Sequence, residues 1–225
     1  MTQEVWSAVD EYINGLFVPP DPGLDEALRA ITAAGLPAVS VSPSQGKFLN
    51  LLARIQGVRK ILEIGTLGGY STIWLARALP PEGHLITLEA DAKHAEVASK
   101  NIEFAGVGNL VELRVGPAQE TLPKLAEEGC GPFDLIFVDA DKENNPLYFH
   151  WALKLARRGS VIVVDNVIRD GKIADLKNQD CALLGIRRFN ELVASDARVS
   201  ATEIQTVGSK GYDGFALAVV LADAN

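Results

Sequence analysis

The sequence predicts an α/β fold: a doubly wound, mostly parallel seven-stranded sheet of the Rossmann-like kind, with extra helices at the N-terminus. Through the middle of the chain, short apolar runs alternate with longer amphipathic stretches, which is the rhythm of repeated βαβ units. The apolar runs are continuous rather than alternating, as in strands that are buried on both faces of a sheet. Glycines lie in the connections between these runs, where turns require them.

The central elements follow this rhythm in order. Strands are predicted at Lys60–Ile64, His84–Glu89, Leu110–Val115, Phe133–Val138 and Ser160–Val164. The helices that connect them are predicted at Tyr70–Ala78, Ala92–Ala105, Ala118–Glu127 and Pro146–Leu155. Because each strand is followed by an amphipathic helix, we expect these strands to be parallel.

Two flanks lie outside the rhythm. Before the first strand, helices are predicted at Val5–Leu16, Leu24–Ala34 and Ser44–Ile55, and the proline-rich break Pro19-Pro20-Asp21-Pro22 separates the first two. Residues 1–42 are therefore expected to form an N-terminal helical extension.

After the last parallel strand the pattern changes. A polar, irregular loop over the site is predicted at Ile168–Gln179, then a helix at Cys181–Ala194, and finally two strands at Val199–Gln205 and Gly214–Leu221. We expect these two strands to be an antiparallel addition to the sheet. The sequence has no internal repeat and no domain boundary, so residues 1–225 are interpreted as a single domain.

Composition restricts the class of protein. The net charge of -8 and the pI of about 4.9 make a nucleic-acid partner unlikely, since phosphate binding needs a basic surface. Cys130 and Cys181 form neither a CxxC pair nor a disulfide framework. The N-terminal residues do not resemble a signal peptide, and no apolar stretch is long enough to span a bilayer. We therefore expect a cytoplasmic protein with no membrane association.

Two apolar runs end in clusters of acidic and amide side chains. Leu135–Val138 runs into Asp139-Ala140-Asp141-Lys142, and Ser160–Val164 runs into Asp165-Asn166. Parallel strands bring such residues to the carboxyl edge of the sheet, where open α/β folds bind their ligands. Carboxylate and amide oxygens suit hard cations, so Asp139, Asp165 and Asn166 are candidate metal ligands. The alternative is that they are separate strand ends exposed to water.

A glycine-rich turn follows the first predicted strand, in the run Leu62-Glu63-Ile64-Gly65-Thr66-Leu67-Gly68-Gly69-Tyr70-Ser71. Glycines there let the backbone approach a ligand closely. The spacing is not the GxGxxG of a dinucleotide-binding turn, and Glu63 suits a cationic ligand better than a pyrophosphate. Glu89 ends the next strand, where a carboxylate can accept hydrogen bonds from both ribose hydroxyls of a nucleoside cofactor. The alternative is a tight turn beside a solvated strand end.

The combination of LEIGTLGGYS, VDADK and VDN resembles the cation-dependent, S-adenosylmethionine-dependent O-methyltransferases, the group of the catechol and caffeoyl-CoA O-methyltransferases. The resemblance extends from about Val41 to the C-terminus, and Ser42-Pro43-Ser44-Gln45-Gly46 and Asp213-Gly214 are further matches. It implies the class I methyltransferase fold. It also implies S-adenosyl-L-methionine as the methyl donor and a homodimer as the assembly.

The resemblance assigns a role to several side chains. Glu63, Gly65 and Gly69 shape the pocket for the methionine part of the cofactor, and Ser71 binds its carboxylate. Glu89 holds the ribose, and Ala118 binds adenine through its backbone. The remaining residues that the resemblance places at the cofactor are Val41, Thr66, Tyr70 and Asp139.

The resemblance also implies a metal site and a base. Asp139, Asp165 and Asn166 hold the divalent cation, with Mg²⁺ expected and Mn²⁺ or Ca²⁺ as alternatives, and Lys142 is the catalytic base. A phenol ionises near pH 10, and a cation that binds two vicinal oxygens lowers that pKa. The implied acceptor is therefore a small vicinal-dihydroxy aromatic of the catechol or hydroxycinnamoyl type. For Lys142 the alternative is a surface lysine paired with Asp141 or Glu143.

Two departures leave the acceptor open. Relatives carry an aromatic residue where this chain has Asn145, and a large residue near Ile168-Arg169-Asp170-Gly171. Arg169 either favours an acidic or phosphorylated acceptor or faces water. The alternative functions are an O-methyltransferase that acts on a hydroxyuridine in transfer RNA, a nicotinamide-dependent oxidoreductase, and a non-catalytic cofactor-binding protein.

Overall fold

The computed structural model describes residues 2–223, so Met1, Ala224 and Asn225 of the predicted domain lie outside the described residues. One seven-stranded sheet has the order β3-β2-β1-β4-β5-β7-β6. The strands are β1 Lys60–Ile64, β2 His84–Glu89, β3 Val111–Val115, β4 Phe133–Val138, β5 Ala156–Asp165, β6 Val199–Gly208 and β7 Gly211–Val220. The predicted α/β fold with seven strands is confirmed.

Eight α-helices are present in the described range. Three precede the sheet: α1 Gln3–Phe17, α2 Pro22–Ala33 and α3 Pro43–Gln56. The other five are α4 Tyr70–Ala76, α5 Ala92–Phe104, α6 Ala118–Glu127, α7 Asn145–Leu155 and α8 Cys181–Ser195. Within residues 2–223, no helix is both long and apolar enough to cross a membrane.

The pairing of the strands positions the site. β1 pairs in parallel with β2 and with β4, and β4 pairs in parallel with β5. The strand order therefore reverses between β1 and β4, and a crevice opens beyond the carboxyl ends of strands at such a point. Ile64 and Val138 are register partners, so the glycine turn after β1 lies beside the acidic cluster after β4.

Side chains on the two faces of the sheet form two apolar layers. Leu62, Ile136 and Ile162 pack on one face with α6, α7 and α8, and the alternate residues of the same strands pack on the other face with α2 to α5. Ile61, Leu62 and Ile136 are completely buried. The continuous apolar runs of the sequence are thus explained by strands covered on both sides.

The C-terminal strands are longer than predicted. β6 and β7 form an antiparallel hairpin around Ser209 and Lys210, and β7 pairs antiparallel with β5. β6 lies at the edge of the sheet and most of its residues are exposed. Such an edge strand has no continuous apolar run, which is why the sequence pattern marked only part of it.

Candidate active site

A cavity of about 560 Å³ lies at the carboxyl ends of β1, β2 and β4. The predicted site residues line it, with three exceptions: Glu63, Gly69 and Asp165. Those that line it are Val41, Gly65, Thr66, Tyr70, Ser71, Glu89, Ala118, Asp139, Lys142 and Asn166. The structure therefore brings the glycine turn, the strand-end Glu89 and the first acidic cluster to a single cavity.

The glycine turn after β1 is tightly packed. A side chain at Gly65 would overlap the carbonyl oxygen of Asp139, and Gly65 has a φ of +101°. Gly69 has a φ of +84°, immediately precedes α4 and does not line the cavity. Glycine at these two positions therefore shapes the turn through backbone conformation and space.

Glu89 holds this turn in place. Its Oε2 accepts hydrogen bonds from the backbone N–H groups of Thr66 (3.3 Å) and Leu67 (2.7 Å), and its Oε1 accepts one from Asp91 (2.9 Å). Only 8% of Glu89 is exposed, on the wall of the cavity. A carboxylate with each oxygen bonded on one side still offers lone pairs to hydroxyl groups of a ligand.

Glu63 lies beneath the cavity instead of lining it. It is completely buried and accepts hydrogen bonds from the hydroxyls of Ser71 (2.6 Å), Thr72 and Thr87 (2.7 Å). Burial raises the pKa of its carboxyl from 4.5 to about 7, although the three hydroxyl groups oppose that shift. Because Ser71 lines the cavity and donates to Glu63, the buried carboxylate acts on the cavity through Ser71.

We expect Glu63→Gln to remove a pH dependence of stability. Between about pH 4.5 and 7 the unfolded carboxyl loses its proton while the folded one keeps it, so the free energy of unfolding falls as pH rises. The loss is on the order of 3 kcal/mol, because each pKa unit contributes roughly 1.4 kcal/mol. Urea unfolding at pH 5 and pH 8 measures it. Exposed Glu120→Gln is the control, and an unchanged difference between the two pH values in Glu63→Gln would contradict the expectation.

The first acidic cluster holds Lys142. The Nζ of Lys142 lies 2.9 Å from Oδ1 of Asp139, and only 8% of the lysine is exposed. Asp141 accepts hydrogen bonds from the hydroxyl of Tyr148 and the amide of Asn144. Lys142 is therefore a buried side chain paired with Asp139, and not the surface lysine paired with Asp141 or Glu143 that the sequence left as the alternative.

Asp165, at the end of β5, is 5% exposed and lies close enough to Asp139 for the two charges to interact. Burial, and then the negative charge of Asp139, raise the pKa of its carboxyl from 3.8 to about 7, although Lys142 and hydrogen bonds from Asn166 and Gln45 act the other way. Its Oδ1 accepts the backbone N–H of Asn166 (2.9 Å). The strand-end acids are therefore neither separate nor fully exposed to water.

Asn166 joins two cavities. It lines the first cavity and also a second one of about 350 Å³, which lies between α1, α3 and the β6–β7 hairpin and includes Asp165. Asn166 has a φ of +55°, a strained backbone conformation for a residue other than glycine. The three predicted metal ligands therefore lie between the two cavities. Asp139 lines the first cavity, Asp165 lines the second, and Asn166 lines both.

The donor set fits a hard divalent cation. The carboxylates of Asp139 and Asp165 are close enough to interact, Asn166 lines a cavity with each of them, and Lys142 offsets the repulsion between the carboxylates. Within residues 2–223, no three His, Cys, Asp or Glu side chains form a metal cluster, since the third predicted ligand is an amide. Oxygen-only donors without Cys or His favour Mg²⁺, Mn²⁺ or Ca²⁺ over zinc.

Sequence reasoning gave no role to Asp213, which organises the segment after Asn166. Its Oδ1 accepts hydrogen bonds from the backbone N–H groups of Ile168 (3.1 Å), Arg169 (2.9 Å) and Gly214 (2.9 Å). A side chain on Gly214 would overlap the carbonyl oxygen of Ile204. The Asp213-Gly214 match was the available signal, because an acid–glycine pair in a strand suggests a backbone contact.

The two departures from the family pattern lie in different surroundings. Arg169 lines the first cavity. Asn145 is 1% exposed and does not line the first cavity, and its amide has no hydrogen-bond partner within the described residues. The interpretation that both positions face the acceptor therefore finds structural support only for Arg169.

Comparisons with known proteins agree with this arrangement. The model of the O-methyltransferase family matches residues 20–219. The catechol O-methyltransferase of Niastella koreensis is 54% identical over 220 residues, which are 98% of this chain and 100% of that protein. The structure of the O-methyltransferase from Bacillus cereus in complex with SAH is 57% identical, with a TM-score of 0.96 and coverage of 97% and 100%. That of TomG from Streptomyces achromogenes in complex with SAM is 52% identical, with a TM-score of 0.96 and coverage of 99% and 100%.

Proposed function

Given that this chain belongs to the O-methyltransferase family and is a methyltransferase enzyme, we propose that it transfers a methyl group from S-adenosylmethionine to one hydroxyl of a small vicinal-dihydroxy aromatic, with a divalent cation at Asp139, Asp165 and Asn166. The family that the motifs predicted is confirmed. Because the chain is a methyltransferase enzyme, it is neither a nicotinamide-dependent oxidoreductase nor a non-catalytic cofactor-binding protein.

The observation that carries this proposal is the contact between Lys142 and Asp139. It lies on the wall of the cavity that also holds the glycine turn and Glu89. A donor bound along that turn therefore faces the only lysine on the cavity wall within the described residues. Asn166 lines the same cavity, and it also lines the second cavity together with Asp165.

The donor fits the cavity in a defined direction. We assign the ribose to Glu89, whose oxygens remain free on the cavity side, and the adenine to the backbone of Ala118. Ser71 and Val41 line the part assigned to the methionine. The complexes of the relatives from Bacillus cereus and Streptomyces achromogenes contain SAH and SAM, which supports this donor.

The chemistry needs an oxyanion in line with the methyl carbon. When bound, the cation lowers the pKa of the acceptor phenol and orients its two oxygens. In its neutral form Lys142 would take the phenolic proton at Nζ, and Asp139, the partner of that nitrogen, would hold it in position. The walls of the cavity fix the distance between the two reactants, which replaces an encounter in solution by a positioned attack.

A methyl-transfer screen tests this function. The purified chain is assayed with S-adenosylmethionine on catechols, hydroxycinnamoyl thioesters and undermethylated transfer RNA, each with magnesium and after chelation. We expect methylation of a vicinal diol that requires the cation. Activity on catechol that survives chelation would reject the metal role, and activity on transfer RNA alone would favour the RNA alternative.

We also propose a homodimer formed through α1. None of the residues of α1 is buried, and its apolar side chains Val5, Val9, Tyr12 and Leu16 are 48 to 69% exposed. Their spacing of three and four residues places them on one face of the helix. A second copy of the chain would cover this face. Light scattering should give twice the chain mass of 24.1 kDa, and a mass equal to one chain would reject the dimer.

A further inference from the structure

Arg169 differs from the other charged residues on the cavity wall in its partners. The acids Glu89, Asp139 and Asp141 accept hydrogen bonds or pair with Lys142. The guanidinium of Arg169 makes no hydrogen bond and no ion pair with any residue between 2 and 223. Its positive charge is therefore free for a ligand in the cavity.

The neighbouring lysines are engaged elsewhere. The Nζ of Lys172 lies 3.2 Å from Asp170, and the Nζ of Lys210 donates to the carbonyl oxygen of Ala38 at 3.2 Å. Neither lysine lines the first cavity. Arg169 is thus the cation available at this part of the rim.

The backbone holds Arg169 in a fixed place. Arg169 has a φ of +54° and Asp170 a φ of +57°, conformations that cost a residue other than glycine on the order of 1 kcal/mol. Asp213 accepts the N–H of Arg169 at 2.9 Å, and the carbonyl of Tyr212 accepts that of Asp170 at 3.1 Å. Because the segment is tied to β7, Arg169 differs from an arginine on a loose surface loop.

The position of Arg169 distinguishes the two reactants. It follows the predicted metal ligand Asn166 by three residues, whereas the methionine end of the donor is assigned to Ser71 and Val41. We propose that Arg169 determines acceptor specificity by binding a carboxylate on the aromatic ring, so that the enzyme favours a dihydroxy aromatic acid over a neutral catechol. This inference rests on the proposed function. A planar guanidinium binds a carboxylate through two parallel hydrogen bonds, which lysine does not reproduce.

The acidic surroundings make such a contact decisive. Asp139 and Asp141 line the same cavity, and the chain has a net charge of -8. Without Arg169, the carboxylate of an acceptor would have no positively charged side chain of its own at this part of the rim, because Lys142 is paired with Asp139. A neutral catechol carries no carboxylate and gains nothing from the arginine.

The test compares two acceptors that differ in charge. Values of kcat/KM are measured with magnesium for 3,4-dihydroxybenzoate and for 3,4-dihydroxybenzyl alcohol, which has a neutral group in place of the carboxylate. In Arg169→Gln we expect kcat/KM for the acid to fall about tenfold to a hundredfold, mainly through KM, as for the loss of a charge-assisted hydrogen bond. For the alcohol, which has no carboxylate for Arg169 to bind, kcat/KM should change by less than about threefold.

Matched variants complete the design. Lys172→Gln removes the same charge outside the first cavity and should leave the acid-to-alcohol ratio unchanged. Arg169→Lys keeps the charge without the planar fork and should recover part of the preference. Calorimetry with S-adenosylmethionine should give the same Kd for Arg169→Gln as for the unmodified chain, and thermal melting checks that the variant is folded.

The outcomes separate the inference from the function on which it rests. If the unmodified chain methylates both compounds and Arg169→Gln keeps their ratio, the inference is rejected and the function stands. A weaker Kd for S-adenosylmethionine with equal losses on both acceptors would place Arg169 at the donor and also reject it. If the unmodified chain methylates neither compound but does methylate another vicinal diol of the screen, the inference is rejected and the function stands; if it methylates no vicinal diol of the screen, the proposed function is rejected, and the inference with it.

Discussion

Replacing Lys142 with glutamine is expected to lower kcat by about 10²- to 10⁴-fold, the usual contribution of a positioned general base. The Kd for S-adenosylmethionine should change by less than about threefold, because removing a group that acts only in the transition state does not alter ground-state binding. Single-turnover methyl transfer and calorimetry measure the two quantities. Exposed Lys124→Gln provides the matched control.

The physical reason lies in the place of Lys142. Its Nζ is 2.9 Å from Asp139 on the wall of the donor cavity, and 8% of the residue is exposed. Asp139 is assigned both to Lys142 and to the cation, so a bound cation would compete with Lys142 for the carboxylate of Asp139. We therefore expect Lys142 to depend on the metal site for its role as a base.

A different pattern would reject this role. If Lys142→Gln weakens donor binding and leaves the rate of the single turnover intact, the lysine is a binding group. If it lowers the melting temperature by more than the few degrees that a 1 kcal/mol change produces, its pairing with Asp139 is mainly structural. Activity of Lys142→Gln that recovers with rising pH would support the base, because more of the phenol then ionises without help.

The strand-end residues were predictable because strand and ligand are adjacent in the chain. An apolar run such as Leu135–Val138 determines where its strand ends, so Asp139 has to lie at the sheet edge. The pairing of β1 with both β2 and β4 follows from the doubly wound order, and it brings the glycine turn beside Asp139.

The position of Glu63 beneath α4 could be predicted only in part from the sequence pattern. Side chains alternate along β1, so Glu63 shares a face with the buried Ile61 and points under α4. Its three hydroxyl partners come from positions 8 to 24 residues later in the chain. No local sequence pattern relates these partners to Glu63. The prediction that Glu63 faces a cationic ligand did not include Ser71, which lies between Glu63 and the cavity.

The Asp213-Gly214 match pointed to a backbone contact, but the partners of Asp213 could not be predicted from the sequence for a similar reason. Asp213 contacts Ile168 and Arg169 from positions 45 and 44 residues away. That contact exists because β7 pairs antiparallel with β5, with Asp165 opposite Phe215. The register of an edge hairpin depends on packing of the whole sheet, and its effect on Arg169 appears only in three dimensions.

Asp165→Asn is expected to abolish the dependence of activity on magnesium, with a loss of about 10²- to 10³-fold in kcat/KM at saturating cation. A metal ligand that orients the cation contributes several kcal/mol to the transition state, and each 1.4 kcal/mol corresponds to roughly tenfold in rate. Magnesium should raise the melting temperature of the unmodified chain, because an ion that binds only the folded state stabilises it. The variant should lack that rise.

The same variant separates a ligand from a structural carboxylate. Asp165 is 5% exposed and is repelled by Asp139, so its charge in the metal-free protein is a cost and not a gain. Asparagine keeps the shape and removes the charge. Metal-free Asp165→Asn should therefore melt at or above the temperature of the unmodified chain, while exposed Asp170→Asn, the control, should keep both activity and the response to magnesium.

The opposite combination would contradict the ligand assignment. If metal-free Asp165→Asn melts lower, the contacts of Asp165 with the N–H of Asn166 at 2.9 Å and with Gln45 outweigh the repulsion, and the carboxylate supports the fold. Full activity that still requires magnesium would show that the cation binds elsewhere. Loss of activity together with loss of the magnesium-induced rise in melting temperature, and with no loss of metal-free stability, is the result expected of a metal ligand.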